Sequence, residues 1–242
     1  LRELQRTACI CAQSLKLATE EFIQHDPARV QRIKGNEESI NRIKTAMRDF
    51  LANLTGHYLS KRQSILIEHI DRCMSDLERI GDHIDNLSDI AARQRSIPTA
   101  RFGPQIIEDW LDMERVVEQL LAKVIESLNP ETAEFQQMAK EVLELRKAYT
   151  ELAITVRNAH FERLEEKTIT PIAGVLFNDY VSNFHRITKH IKSIALAEQQ
   201  PQFWIKREKL TRVMSTKAPG YSVPDEINPD DFLDRLQSED YL

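Results

Sequence analysis

Six segments of the chain carry apolar residues at alternating spacings of three and four. This spacing lines one side of a helix with apolar side chains and is typical of helices that pack against other helices. A low content of glycine, proline and aromatic residues fits the same pattern better than it fits a sheet. The sequence therefore predicts an all-α protein with six main helices. The third segment is the clearest, through Ile70, Cys73, Leu77, Ile80, Ile84, Leu87 and Ala91.

Polar residues followed by proline mark where helices begin. Asp26-Pro27, Asn129-Pro130 and Thr170-Pro171 each combine a residue suited to cap a helix with a proline suited to its first turn. Ser96-Ile97-Pro98 closes the third helix, and the pattern restarts after Gly103-Pro104.

The order short, long, long occurs twice, which indicates an internal duplication. The alignment pairs these dipeptides: Asp26-Pro27 with Asn129-Pro130, His57-Tyr58 with His160-Phe161, Arg79-Ile80 with Arg186-Ile187 and His83-Ile84 with His190-Ile191. Three helices bury their apolar stripes better than a single hairpin does. We therefore predict two tandem three-helix bundles, residues 1–98 and 99–198, followed by an appended charged tail, residues 199–242.

The tail differs in character from the rest of the chain. A basic stretch from Lys206 to Lys217 is followed by an acidic end from Asp225 to Asp240. We expect the tail to be dispensable for folding, unless Phe203, Trp204 or Phe232 fills part of the core.

Composition excludes several classes of function. The net charge of −5 and the lack of a basic stripe with interleaved aromatics argue against nucleic acid as a partner. Three cysteines without a CxxC motif indicate a reducing, cytoplasmic setting, with Cys11 and Cys73 as small buried hydrophobes. The chain has no Gly-rich phosphate loop, no HExxH and no Gly-x-Ser-x-Gly, so we predict no catalytic residue.

The third helix carries an acidic stripe without any lysine or arginine in it: Asp71, Glu78, Asp82, Asp85 and Asp89. The spacing places these carboxylates on one side of the helix, away from the apolar side. Two interpretations stay open at this point, a solvated acidic face or a site for a hard metal ion. In both, the carboxylates are expected to face outward.

Two further residue types allow alternative interpretations. Gly81 lies inside the third helix, where it permits close approach either by a ligand or by a facing helix. His57 and His160 occupy matching places in the two repeats. We favour helix-end histidines that hydrogen-bond to a neighbouring helix over ligands of a metal.

Residues 76–82, Asp-Leu-Glu-Arg-Ile-Gly-Asp, resemble the signature of the PhoU family, and the resemblance extends over residues 1–198. It implies a duplicated three-helix bundle whose acidic motifs hold metal clusters on the surface. Glu78 and Asp82 would then bind divalent or trivalent metal ions, with Asp85 or Glu37 as helpers. The family's second acidic residue on the second helix is replaced by Asn41.

The second repeat departs from that acidic pattern. His185, Lys189 and Lys192 stand where the alignment places Glu78, Asp82 and Asp85. Since ammonium groups repel a cation, any metal is expected on the first repeat only.

The sixth helix, from Thr170-Pro171 to His190-Ile191, resembles the C-terminal PhoU-like domain of bacterial sodium/phosphate cotransporter family proteins. A start at Leu1, inside a helical pattern, agrees with truncation after a membrane part. The resemblance implies a non-enzymatic regulatory domain on the cytoplasmic face of the bacterial inner membrane. Its partner would be the membrane transport domain of the same polypeptide, with self-association into a homo-oligomer left open.

Two other functions are alternatives to a regulatory domain of a transporter. The alternative is a free-standing PhoU-type regulator of phosphate uptake, acting as an adaptor to a transporter and a sensor kinase. A di-metal carboxylate oxidase needs Glu-x-x-His pairs that project into a bundle, and the sequence has none.

Overall fold

The computed structural model describes residues 1–55, 59–129 and 135–199. This part of the chain contains six α-helices and no strand, which confirms the all-α prediction. The helices are α1 (Arg2–Ile23), α2 (Pro27–Thr55), α3 (Lys61–Ser96), α4 (Pro104–Leu128), α5 (Phe135–Glu165) and α6 (Pro171–Glu198).

Most helix ends follow the predicted caps. The backbone N–H of Ala28 donates to Oδ1 of Asp26 at 2.9 Å, and that of Ala173 donates to Oγ1 of Thr170 at 3.3 Å. A capping box at Ser60 escaped prediction, although its Gln63 three residues later is the usual partner. The predicted start of α5 at Pro130 lies outside the described residues.

The two repeats pack side by side. Helices α1, α2 and α3 contact one another, and so do α4, α5 and α6. Between the repeats, α3 lies along α6 in the most extensive contact between described helices, and α1 lies along α4. The third helix therefore faces its counterpart in the second repeat with one side and α2 with another.

The buried apolar side chains form one continuous cluster to which all six helices contribute. Leu77 at its centre is fully buried, as the sequence predicts. Between the repeats, Phe22 of α1 stacks on Trp110 of α4 with ring centroids 4.1 Å apart, and Tyr180 of α6 meets both rings edge-on. The boundaries predicted near residues 98 and 198 stay predictions, since this core continues from one repeat into the other.

Three further predictions concern the rest of the chain. Cys11 and Cys73 are buried free thiols, which confirms their interpretation as small hydrophobes, and Cys9 is buried as well. No helix in the described ranges is long and apolar enough to cross a bilayer. The predicted roles of residues 200–242 lie outside the described residues.

Candidate functional site: the acidic face between α2 and α3

The acidic stripe of α3 lies against α2. The side chain of Glu78 is only 14% exposed and that of Asp82 is 30% exposed, because α2 packs over this side of α3. The expectation that the carboxylates face outward is therefore wrong for Glu78, which is directed at the neighbouring helix. The apolar stripe was assigned correctly, but a helix with two neighbours also buries part of its polar side.

Lys44 of α2 supplies a cation to this face. Its Nζ lies 2.7 Å from Oε1 of Glu78. On α3 itself, Arg79 Nη1 donates to Oδ2 of Asp82 at 3.2 Å, and its Nε lies 3.6 Å from Oε2 of Glu78. The stripe contains no base in sequence, yet the fold brings two bases to its central carboxylates.

Glu37 of α2 completes the set of predicted ligands, because it lies across from Asp82 and Asp85. Burial raises the pKa of Glu37, a hydrogen bond from Asn41 lowers it, and the negative charges of Asp82 and Asp85 raise it further. Because charges affect one another's pKa only over short distances, Glu37 must lie near Asp82 and Asp85. The four predicted ligands therefore share one face of the α2–α3 pair.

The same repulsion acts on the two aspartates of α3. Burial raises the pKa of Asp82 and the charge of Glu78 adds to that effect, while Arg79 and Lys44 oppose it. For Asp85, burial again comes first and the charge of Asp89 second. A cation bound here would relieve this repulsion.

The donors have the chemistry of a hard-metal site, but two bases compete with a metal ion for their oxygens. Buried Oε2 of Glu78 and buried Oδ1 of Asp85 accept no hydrogen bond from the described residues. However, Lys44 engages Oε1 of Glu78 and Arg79 engages Oδ2 of Asp82. No three His, Cys, Asp or Glu side chains converge for a metal within residues 1–55, 59–129 and 135–199. Glu78, Asp82, Asp85 and Glu37 therefore stay predicted ligands.

Gly81 serves the contact between α2 and α3. A Cβ added there would lie 2.8 Å from Cδ1 of Ile40, closer than van der Waals contact allows. Of the two interpretations of this glycine, the structure supports close packing of a facing helix. That packing is what brings Glu37 and Lys44 of α2 up to the acidic stripe.

A second polar cluster, which sequence reasoning missed, lies where α3 meets α6. His190 Nδ1 is 2.8 Å from Oδ1 of Asp76, His83 Nδ1 is 3.2 Å from Oδ1 of Asn183, and the imidazole centroids are 5.8 Å apart. The alignment that pairs His83 with His190 also pairs Asp76 with Asn183. The repeats therefore meet about an approximate twofold axis, and the alignment was the signal that could have revealed it.

The protonation of this cluster is biased toward the neutral form at His83. Burial lowers the pKa of His83 to about 4, and the positive charges of His190, Arg186 and Arg79 act in the same direction.

At the far end of the second repeat, His160 donates from Nε2 to the carbonyl oxygen of Gly174 at 3.1 Å. That contact confirms the helix-end interpretation of His160, while His57 lies outside the described residues.

Known proteins share this architecture. Residues 4–91 match the family model of the PhoU domain. The crystal structure of PhoU from Pseudomonas aeruginosa is similar, with a TM-score of 0.71, 16% identity, and coverage of 81% of this chain and 92% of that chain. The structure of the phosphate transport system regulatory protein PhoU from Streptococcus pneumoniae has a TM-score of 0.67 and 15% identity, with coverage of 81% and 90%.

No curated protein sequence matches the chain significantly. At 15–16% identity the structural matches establish the fold, while the match over residues 4–91 concerns the first repeat, where the acidic stripe lies. The first repeat therefore matches the PhoU domain, and the six helices of the chain share the fold of these two PhoU structures.

Proposed function

We propose that the chain is a non-enzymatic regulator of phosphate uptake that acts as a PhoU-type adaptor, by binding other proteins. The observation that carries this proposal is the extent of the likeness, which takes in 92% and 90% of two PhoU proteins. One of those proteins is described as a phosphate transport system regulatory protein. A likeness over nearly the whole length of such proteins supports the free-standing adaptor more than a domain fused to a sodium-dependent transporter.

The surface of α5 offers a place for a partner to bind. Ile154 is 55% exposed and Phe161 is 61% exposed. Phe161 follows Ile154 by seven positions, about two helical turns, so both side chains lie on the same side of α5. Large apolar side chains on one exposed face favour contact with another protein, since that contact removes them from water.

The proposal is tested by expressing the chain in a bacterium that lacks its own PhoU and carries a reporter of phosphate starvation. We expect repression of the reporter in phosphate-rich medium. A chain with Ile154→Ser and Phe161→Ser should fold but lose repression. Ile23→Ser is the matched control, because Ile23 is 65% exposed on a different helix.

The result that overturns the proposal is a folded chain that neither represses the reporter nor binds a phosphate-transporter ATPase subunit or a sensor kinase. Binding assays with purified partners separate this outcome from poor expression in the host. Equal loss of repression in the Ile23→Ser control would show that the α5 face has no special role.

A second candidate is the regulatory domain of a sodium-dependent phosphate transporter. The observation that favours it is the basic side of α6, where His185, Lys189 and Lys192 replace the acidic residues of the first repeat. Transmembrane helices encoded in the same polypeptide, with sodium-dependent phosphate uptake that changes when this region is deleted, would support it. Repression of the reporter by the chain alone would support the adaptor instead.

A further inference from the structure

A basic cluster lies between α5 and α6, on the side of the second repeat that corresponds to the acidic face of the first. It consists of Arg146, Arg157, His185 and Lys189: the charges of the other three act on His185, and those of the two arginines also act on Tyr149. Arg146 and Arg157 are separated by eleven residues, which brings them within about 20° of each other around the helix. Throughout the described part of the chain, none of the four basic side chains forms an ion pair.

The register of the two helices places these groups at one level. The short connection between α5 and α6, together with the contact between His160 and the carbonyl of Gly174, makes the two helices antiparallel. Eleven residues back along α5 and eleven forward along α6, Tyr149 and His185 come to the same height. Arg146 and Arg157 flank that level from either side, and Cζ of Arg146 lies 5.4 Å from the centre of the Tyr149 ring.

Several polar atoms of the cluster have no partner. Tyr149 is fully buried and its hydroxyl forms no hydrogen bond with the described residues. Nε of Arg146 and Nε of Arg157 are also buried without a partner in that part of the chain, while Nη1 of Arg146 donates to Oγ1 of Thr150. Buried donors without acceptors are destabilising by about 1–3 kcal/mol each, so their concentration in one place needs an explanation.

The positive charges of the cluster surround His185. Burial lowers the pKa of His185, and the charges of Arg146, Arg157 and Lys189 lower it further. Burial also lowers the pKa of Arg146. Of the two acidic residues of α5 nearest to the cluster in sequence, Glu144 is engaged by Lys147 at 2.7 Å and Glu151 is exposed.

We propose that this basic cluster is a binding site for a phosphate-class oxyanion. Guanidinium groups present several N–H donors in a plane that matches the oxygens of such an anion. One tetrahedral anion would supply acceptors for Arg146 and Arg157, a hydrogen-bond partner for the hydroxyl of Tyr149, and a counter-charge for Lys189. Corresponding faces of the two repeats thus carry opposite charge, acidic in the first repeat and basic in the second.

The choice of phosphate as the probe rests on the proposed function, but the site itself rests on the geometry. Phosphate binding without repression of the reporter would overturn only the proposed function. Repression without phosphate binding would overturn only the site.

The experiment titrates the full chain with sodium phosphate at pH 7, at constant ionic strength, by calorimetry and ³¹P NMR. We expect saturable binding of one equivalent, weakened at least about tenfold by Arg146→Gln or Arg157→Gln, since each removes a charge-assisted hydrogen bond. Lys147→Gln is the matched control, because it removes one positive charge from the neighbouring, 69% exposed position of α5. That control should change the affinity less than about twofold, as expected of an exposed charge.

Other anions identify what the site recognises. Sodium sulfate should compete with phosphate, whereas sodium acetate should not. Phenyl phosphate tests whether the site accepts phosphate esters. If it competes with phosphate, the site binds esters as well as free phosphate, and if it does not, the site binds free phosphate. Competition by acetate equal to that of sulfate would overturn the proposal in favour of a carboxylate-binding surface.

Two further results would overturn the site. The first is an absence of saturation in the parent chain, which depends on no variant. The second is equal weakening by Lys147→Gln, which would leave only a diffuse positive field. Should Arg157→Gln fail to fold by circular dichroism, His185→Glu serves instead, since it puts a carboxylate into the half-buried centre of the cluster and should abolish binding.

Discussion

Lys44 Nζ lies 2.7 Å from Oε1 of Glu78, so the first repeat carries a cation of its own on the acidic face where the family resemblance implies a bound metal. This ion pair and a metal ion compete for the same carboxylate. The competition gives the metal prediction a sharper test than removal of the carboxylates alone.

The first prediction is that Lys44→Met raises the affinity of the acidic face for a divalent cation. An ammonium group within about 4 Å of the ion would oppose binding by roughly 1–4 kcal/mol, which is about fivefold to several hundredfold in affinity. Mn²⁺ titration and elemental analysis of protein prepared without chelators measure the effect. Glu78→Ala combined with Asp82→Ala should abolish binding, and His185→Ala should not.

Two results would contradict this prediction. Metal that persists in the Glu78→Ala and Asp82→Ala double variant would place the site elsewhere. If neither the parent nor Lys44→Met holds metal, the acidic stripe is a solvated, ion-paired face and nothing more.

The second prediction concerns the buried side of α3. Leu77 is fully buried in the core, so Leu77→Asp places a charge among apolar side chains and should destabilise the fold by several kcal/mol. Urea denaturation followed by circular dichroism measures the loss. Asn86→Asp is the control, because Asn86 is exposed on the same helix and should change stability by less than about 0.5 kcal/mol. Equal stability of the two variants would mean that the core face is assigned wrongly.

The third prediction is a dependence of stability on pH that originates at Glu114. This residue is buried between α1 and α4, and its Oε1 lies 2.9 Å from Oγ1 of Thr19. Burial, helped by the charge of Glu118, raises the pKa of Glu114 from 4.5 to about 7. Between those two pH values the folded chain keeps a proton that the unfolded chain has released. Stability therefore falls as pH rises through this window and levels off above it.

Glu114→Gln should remove that fall. At pH 8 the variant should be more stable than the parent by about 1–3 kcal/mol, whereas at pH 4.5 the difference should nearly vanish. Denaturation curves at both pH values measure it, with the half-exposed Glu126→Gln as control. The difference in stability between the parent and Glu114→Gln should change between pH 4.5 and pH 8. An equal difference at both pH values would contradict a raised pKa at Glu114.

The fourth prediction compares two helical glycines. A Cβ at Gly35 would meet nothing within 4 Å, so Gly35→Ala should stabilise α2 by about 0.5–1 kcal/mol. A Cβ at Gly174 would lie 2.8, 3.3 and 3.4 Å from three atoms of Leu164. Gly174→Ala should therefore destabilise the chain by about 1–3 kcal/mol, less the gain in helix propensity. Melting temperatures that change in the same direction for both variants would contradict this.

Sequence reasoning predicted the helices and the core well, because both follow from local periodicity. The stripe through Leu77 was placed correctly, and caps such as Asp26 and Thr170 were visible as short motifs. Contacts between helices were not predictable in the same way. Lys44 is far from Glu78 in sequence, and nothing in the pattern of α3 indicates that another helix supplies the missing base.

The same limit applies to the basic cluster. His185 and Lys189 stood out because they replace carboxylates in the alignment, but Arg146 and Arg157 did not, since eleven residues separate them. Their proximity follows only from the antiparallel register of α5 and α6. By contrast, the stacking of His83 on His190 was within reach, because the alignment already paired them.

The contact between α3 and α6 has a consequence for any isolated half of the chain. The first repeat alone would expose the side of α3 that α6 covers in the intact chain. Because that contact is pseudo-symmetric, with His83 against His190, a second copy of the same half could cover it with its own α3. A fragment ending near residue 98 should therefore dimerise through α3, with His83 stacked on its own copy. The intact chain therefore corresponds to such a dimer, with its two halves joined covalently.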